Sequence, residues 1–253
     1  MQNITNLLKK YPRASILFIF AHPDDESFVS ASLILLAKKL GLKTHLICLT
    51  KGGRGLNAYK HMHFAKYQNK NGNLKKIREE ELKKAVKILK LNNLILCDYP
   101  DAELKESVAL WINKLAKSIK KINPSIVVTF DMSGLTGHPD HIISAIVTKK
   151  ILKSKNFNGT LLWRVAERKE LKIFKKNKAL KYKSPPDLFV PFEIKRNFTK
   201  LRSVFSHKSQ LKGMAFKLKV IRWIMTMHTE TYHEVKINKA YRYMFPDFKI
   251  DKD

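Results

Sequence analysis

Four short apolar runs, each followed by a stretch with helical spacing, constrain this chain more than any other feature of its sequence. Ser15–Ala21 (SILFIFA) is continuous, β-branched or aromatic, with no polar alternation, as a strand buried on both faces requires. Thr44–Thr50 (THLICLT), Leu94–Tyr99 (LILCDY) and Ser125–Asp131 (SIVVTFD) are runs of the same kind. Ser27 to Leu40 reads as a helix stopped by Gly41. Leu82, Ala85, Val86 and Leu89 recur at the spacing of one helix face, as do Val108, Trp111, Ile112 and Leu115, and a helix from about His141 to Leu152 follows the fourth run. Strand and helix in alternation predict an α/β fold: a Rossmann-like, mostly parallel sheet flanked by helices, with strands one and four side by side where the winding reverses. Ligands in such sheets bind beyond the carboxyl ends of the strands at that point. The C-terminal third is less regular. Leu161–Glu167 and Asp187–Glu193 read as further strands, and Asn197 to His228 as largely helical with a break at Gly213. No repeat or Pro/Ser-rich linker divides residues 1–253, so a single domain is expected.

The two motifs that carry chemistry leave strands one and four. Ala21-His22-Pro23-Asp24-Asp25-Glu26 follows the first and Gly137-His138-Pro139-Asp140-His141 the fourth. Either alone reads as a turn, since proline fixes φ and aspartate caps the next helix. Together, at adjacent strand ends, they make a site assembled from about 115 residues apart in sequence. Two histidines and a carboxylate can hold zinc as three protein ligands and leave a fourth position for water, the mark of a catalytic centre. A second carboxylate must then orient or deprotonate that water, and the adjacent Asp24 and Asp25 can divide those roles.

With AHPDDESF upstream and TFDMSGLTGHPDH downstream, the chain resembles the PIG-L/LmbE-like family of zinc-dependent N-acetylglucosamine de-N-acetylases, closely over residues 14–152 and more loosely beyond. The resemblance implies His22, Asp25 and His141 as metal ligands and Zn2+ as the cofactor, in a ligand set that would also accept another divalent metal. It implies Asp24 as general base and His138 as the group that stabilises the oxyanion or protonates the leaving amine. It also implies sugar contacts by Arg78 and substrate binding by Asp101. Each of the last two has a plain structural alternative: Arg78 paired with a nearby glutamate on an exposed helix, Asp101 as a turn residue. His207 and Glu230 echo C-terminal elements of the family without an expected catalytic role. The implied function is hydrolysis of an N-acetylglucosamine-containing substrate to acetate and a free amine. The alternatives are an amidase on another acylated amino sugar or thiol-sugar conjugate, or a basic nucleic-acid- or lipid-binding protein with an incidental metal site. Some relatives assemble, so a homo-oligomer is compatible with the resemblance.

Charge bears on partners. Fifty Lys+Arg against 21 Asp+Glu give a net charge of +29, which suits an anionic substrate or a membrane surface. Nucleic acid is disfavoured, because a binding module has no use for Asp24. The cations are spread along the chain, as on a Lys-rich solvated surface. No apolar run reaches the roughly 18 residues of a membrane span. The N-terminal MQNITNLLKKYPRA lacks the apolar core of a secretory signal, and Cys48 and Cys97 read as buried free thiols, so a cytoplasmic location is expected. Three further features have plain readings. His61-X-His63 lies in a long polar loop that is either a lid or an uninvolved surface. Gly52, Gly53 and Gly55 fit no nucleotide fingerprint and let the backbone pass close to the site. Leu211–His228 is an amphipathic helix that packs on the sheet or lies on an anionic membrane.

Overall fold

The computed structural model describes residues 1–55, 71–167, 170, 178–211, 213–226 and 229–241. Its strands are β1 (Gln2–Asn3), β2 (Ser15–Phe20), β3 (Lys43–Cys48), β4 (Asn93–Leu96), β5 (Ile126–Phe130), β6 (Thr160–Val165), β7 (Leu188–Phe189) and β8 (Thr231–Val235). They form one sheet in the order β1-β7-β8-β6-β5-β2-β3-β4. β6, β5, β2, β3 and β4 run parallel, and β8 is antiparallel to both β6 and β7. β2 lies beside β5, with Ile16 opposite Ile126, so the winding reverses where the sequence places it. Both central strands are buried almost throughout, because helices cover both faces. Burying each large apolar side chain there stabilises the fold by roughly 1.5–3 kcal/mol.

The helices are α1 (Ile4–Lys9), α2 (Asp25–Val29), α3 (Ala31–Lys39), α4 (Asn71–Leu89), α5 (Val108–Ile122), the single turn α6 (Gly134–Gly137), α7 (Pro139–Ser154), α8 (Ile194–Val204) and α9 (Gly213–Thr226). Their buried faces are those the spacing marks: α5, for instance, turns Val108, Trp111, Leu115 and Ile119 inward. No described helix is long and apolar enough to cross a membrane.

The structure departs from the sequence reading in several places. The helix expected over Ser27–Leu40 is two helices broken at Ser30, whose φ of −139° is not helical. The break is held by buried charge. Lys200 Nζ donates to Phe28 O (3.2 Å) and Arg164 Nε to Val29 O (3.0 Å), satisfying carbonyls at the end of α2. The Glu230 carboxylate accepts the amides of Ser32 (2.8 Å) and Leu33 (2.9 Å) at the start of α3. The strand expected over Asp187–Glu193 shrinks to Leu188–Phe189, ahead of Pro191, which has no amide for a ladder. Asn197–His228 is not one helix. α8 ends at Val204, a turn and a 3-10 segment (Lys208–Gln210) follow, and Gly213 with φ +59° opens α9 rather than breaking it. β1 and β8 were not foreseen: the first is two residues long, and TYHEV in the second interleaves polar and apolar positions. Cys48 and Cys97 are both free; Cys48 is buried, whereas Cys97 is only half-buried just beyond β4. His61 and His63 lie outside the described residues.

Candidate active site

The site lies beyond the carboxyl ends of β2 and β5, where two turns meet. After β2 the chain must reverse into α2 within a few residues, and Asp24 takes a left-handed backbone (φ +117°) to do so. After β5, buried Asp131 shapes the loop by accepting the amides of Ser133 (3.1 Å) and Ser184 (3.1 Å) and the Ser133 hydroxyl (2.6 Å). His138 then caps α7, its Nδ1 accepting the Asp140 amide (3.2 Å), and Pro139 occupies the first helical turn. One turn of helix separates His138 from His141, so both rings face the β2 turn.

The polar atoms converge closely. His22 Nδ1 is 3.1 Å from His141 Nε2, His141 Nε2 is 3.3 Å from Asp25 Oδ1, and His22 Nδ1 is 3.7 Å from Asp25 Oδ2. A tetrahedral ion with bonds of about 2.0–2.1 Å needs its ligand atoms about 3.3 Å apart, so these three residues fit one. The far side of each ring is committed. His141 Nδ1 donates to Gly134 O (3.0 Å), and the ring stacks on Phe130 with centroids 3.9 Å apart. His22 Nε2 faces Asp140 Oδ2 (3.1 Å) and Asp101 Oδ1 (3.2 Å). Such outer partners fix the tautomer that leaves a lone pair for a cation on His22 Nδ1 and on His141 Nε2. The same neighbourhood brings together His22, His138 and His141, and His22, Asp101 and Asp140, as further possible donor sets among the described residues. Because Nδ1 of His138 is taken by the Asp140 amide, its neutral ring carries the proton on Nε2, which suits a donor rather than a ligand.

Electrostatics point the same way. Burial disfavours charge on His22, yet hydrogen bonds to Asp101 and Asp140 and the nearby Asp25 outweigh it and raise its pKa to about 10. Burial and the neighbouring His141 and His22 push His138 down to about 4. Burial also raises Asp24, to about 6, against the pull of Arg78. Asp101 is carried down to about 2, burial notwithstanding, chiefly by its hydrogen bond with His22. Carboxylates crowded around one imidazole make a place for positive charge.

Arg78, on α4, is buried rather than exposed. Its guanidinium reaches Asp24 Oδ2 (3.2 Å), Gly52 O (3.1 Å) and Pro23 O, and it also lines the cavity. A Cβ at Gly52 or Gly55 would collide with that guanidinium, so the glycine-rich loop makes room for the arginine. Asp101 both faces His22 and accepts the Arg54 amide (2.7 Å). The cavity, about 360 Å³, is lined by His22, Asp24, Asp25, Arg78, Asp101, His138 and His141, and also by Phe28, Arg54 and Trp223.

Sequence reasoning missed three supporting groups. Asp140 ties the turns together, accepting the amides of Ala102 (2.8 Å) and Leu104 (3.1 Å) besides facing His22. Glu26 Oε2 accepts the Asp24 amide (3.1 Å), and its Oε1 meets His207 Nε2 at 2.7 Å. Both carboxylates sit inside the motifs, a signal that was available; His207, buried and 181 residues from Glu26, had only its echo of a family element. Glu230 is structural, capping α3.

Residues 17–152, more than half of the chain, match the PIG-L family, described as GlcNAc-PI de-N-acetylase. The chain belongs to the PIG-L family. Among curated relatives it is 35% identical over 127 residues to a probable N-acetyl-α-D-glucosaminyl L-malate deacetylase 2 of Bacillus anthracis, covering 50% of this chain and 54% of that protein. It is 30% identical over 147 residues to a probable N-acetylglucosaminyl-phosphatidylinositol de-N-acetylase of Schizosaccharomyces pombe, covering 55% of this chain and 52% of the relative. The aligned region thus spans about half the length of these relatives. The N,N'-diacetylchitobiose deacetylase of Pyrococcus horikoshii shares the fold, with a TM-score of 0.68 at 17% identity over 96% of this chain and 94% of that one. Both sequence motifs fall inside the matched PIG-L region.

Proposed function

We propose that this PIG-L protein is a zinc-dependent hydrolase that removes the acetyl group from an N-acetylglucosamine-containing substrate. The observation that carries the reading is the convergence of His22 Nδ1, His141 Nε2 and the Asp25 carboxylate, with Asp24 beside them on the cavity wall. The relatives' names, which assign them probable deacetylase roles on N-acetylglucosaminyl-malate and N-acetylglucosaminyl-phosphatidylinositol, support the same substrate class. His22, Asp25 and His141 would hold the ion, which when bound would supply an activated water and a Lewis acid for the acetamide carbonyl.

The chain's own residues do the rest. Asp24 takes a proton from the attacking water as the water oxygen bonds to the carbonyl carbon. Arg78 and the Glu26–Asp24 amide contact hold that carboxylate in place. His138 Nε2–H donates to the oxygen on which negative charge develops. When the C–N bond breaks, the amine takes its proton from Asp24 or His138, leaving acetate and glucosamine. Asp101 and Arg78 supply polar contacts to the sugar at the cavity wall.

The test is free-amine release by the zinc-loaded protein from free N-acetylglucosamine, its β-linked dimer, a malate glycoside and an inositol-linked form. Asp24→Asn serves as control, with metal content measured on both proteins. Release that falls about 10²–10⁴-fold in the variant, with zinc retained, is expected for a lost general base. Near-normal turnover by Asp24→Asn would remove it from that role, and no release from any substrate at full zinc occupancy would sink the reading.

A further inference from the structure

The helix pair α8–α9 carries two features that the chemistry of the site does not use. The first is charge: Ile194–Thr226 holds nine Lys or Arg and no Asp or Glu, and of these only Arg196 and Lys200 are buried among the described residues, paired with Glu193 and Glu230. The second is apolar exposure on the same helices. Met214 (69% exposed), Phe216 (44%) and Leu218 (58%) face solvent on α9, and Ile194 (48%) and Phe198 (54%) on α8. These are not failed core positions, because each helix already has an inner face. α9 buries Val220 and Ile224 against Val204 and Leu211, and α8 buries Arg196, Asn197, Lys200, Ser203 and Val204. Asn197 Nδ2 ties the pair together by donating to Ile224 O (2.7 Å). On α8 the outward positions Ile194, Phe198 and Arg202 fall four residues apart, and on α9 so do Met214, Leu218 and Arg222. Each outward stripe therefore sets two large apolar side chains beside cations.

We infer that α8 and α9 dock the protein on an anionic lipid bilayer, with the exposed apolar side chains entering the headgroup–acyl boundary and the outward Lys195, Arg202, Lys217, Lys219 and Arg222 at the phosphate level. Basic residues flanking exposed Phe, Leu and Met are what such an interface binds. A second copy of the chain is disfavoured on this face, since it would set cations against cations with no acid between them. Nucleic acid would engage the cations and leave the apolar side chains without a role. Trp223 packs on the inner cluster of α9 and lines the cavity, so the docking helices also form part of the cavity wall.

The experiment is co-sedimentation of the full chain with vesicles of phosphatidylcholine alone or mixed with phosphatidylglycerol, and it needs no catalytic activity, so it stands apart from the proposed reaction. At about 0.1 M salt the protein should sediment with the mixed vesicles and not with the neutral ones. Replacing Met214→Ser, Phe216→Ser and Leu218→Ser together should weaken that affinity at least about tenfold with the thermal midpoint unchanged, and so should Lys217→Glu with Lys219→Glu. No sedimentation with the mixed vesicles would overturn the inference. So would binding that the apolar substitutions leave unchanged, since diffuse charge, equally able to hold a nucleic acid, would then explain it. Self-association in sedimentation velocity that the triple substitution abolishes, without vesicle binding, would assign the face to a second copy instead.

Discussion

At the scale of single residues, the groups around Asp24 show how much of a reactive geometry is held from outside it. Its backbone sits at φ +117°, a conformation costing of order 1–3 kcal/mol for a residue with a Cβ, and something must hold it there. Glu26 accepts its amide, His207 fixes Glu26, and Arg78 takes both its carboxylate and the Pro23 carbonyl. Arg78 can reach so far in only because Gly52 and Gly55 have no side chains. Gly52→Ala therefore tests the arrangement without altering any polar group. Its Cβ would meet the guanidinium, and its φ of +63° strains any L side chain. The expected result is a loss of about 10–100-fold in kcat with metal content retained, as when a catalytic group shifts by about an ångström. A variant with wild-type kcat would show that Arg78 does not position Asp24.

Among the elements, the break between α2 and α3 is the most informative, because its cause is far away in sequence. Glu230 accepts from Ser32 N, Leu33 N, Lys200 Nζ (2.7 Å) and Tyr232 Oη (3.0 Å), all buried. Burial opposes its charge, but Lys200 and Arg164 outweigh burial and lower its pKa, while at Lys200 burial prevails and lowers that pKa too. A carboxyl with a lowered folded pKa contributes stability that is present above its unfolded value of about 4.5 and lost as pH falls through the folded one. Glu230→Gln should accordingly cost about 3 kcal/mol near neutral pH, or about 6–12 °C in thermal midpoint. The gap between variant and wild type should narrow as pH falls below about 4.5, and close only once the pH has fallen through the lowered folded pKa and wild-type Glu230 is neutral like the glutamine. A gap constant over that range would mean that Glu230 is not the charged hub. The same element shows why part of the fold was legible and part was not. β2 and β5 are buried almost throughout and write themselves as unbroken apolar runs, and β3 and the half-buried edge strand β4 carry shorter ones, whereas a helix broken by a carboxylate 198 residues downstream leaves no local mark. Likewise the ligand motifs are each contiguous and could be read, while His207 gained its meaning only when folding brought it to Glu26.

At the scale of the whole molecule, charge is divided against itself. The chain carries +29, yet the cavity of the candidate site gathers Asp24, Asp25 and Asp101 on its wall, with Asp140 close behind. Surface charges beyond about 10 Å are screened at ordinary ionic strength, so the local carboxylates decide what this cavity attracts. Without a cation the cluster must be neutralised by protons, as the raised pKa of His22 indicates. A divalent ion bound only by the folded state replaces those protons and stabilises the fold by mass action, by about 2.7 kcal/mol when free ion exceeds its dissociation constant a hundredfold. For a chain of this size that is a rise of about 5–10 °C in thermal midpoint. Chelator should reverse the rise, and His141→Ala should abolish it, because removing the imidazole breaks the three-ligand set while leaving the surface charge untouched. Equal zinc-dependent shifts in wild type and His141→Ala would place the stabilising ion elsewhere on the molecule. A shift confined to the wild type would tie the fold's stability to the same three side chains, His22, Asp25 and His141, on which the proposed reaction depends.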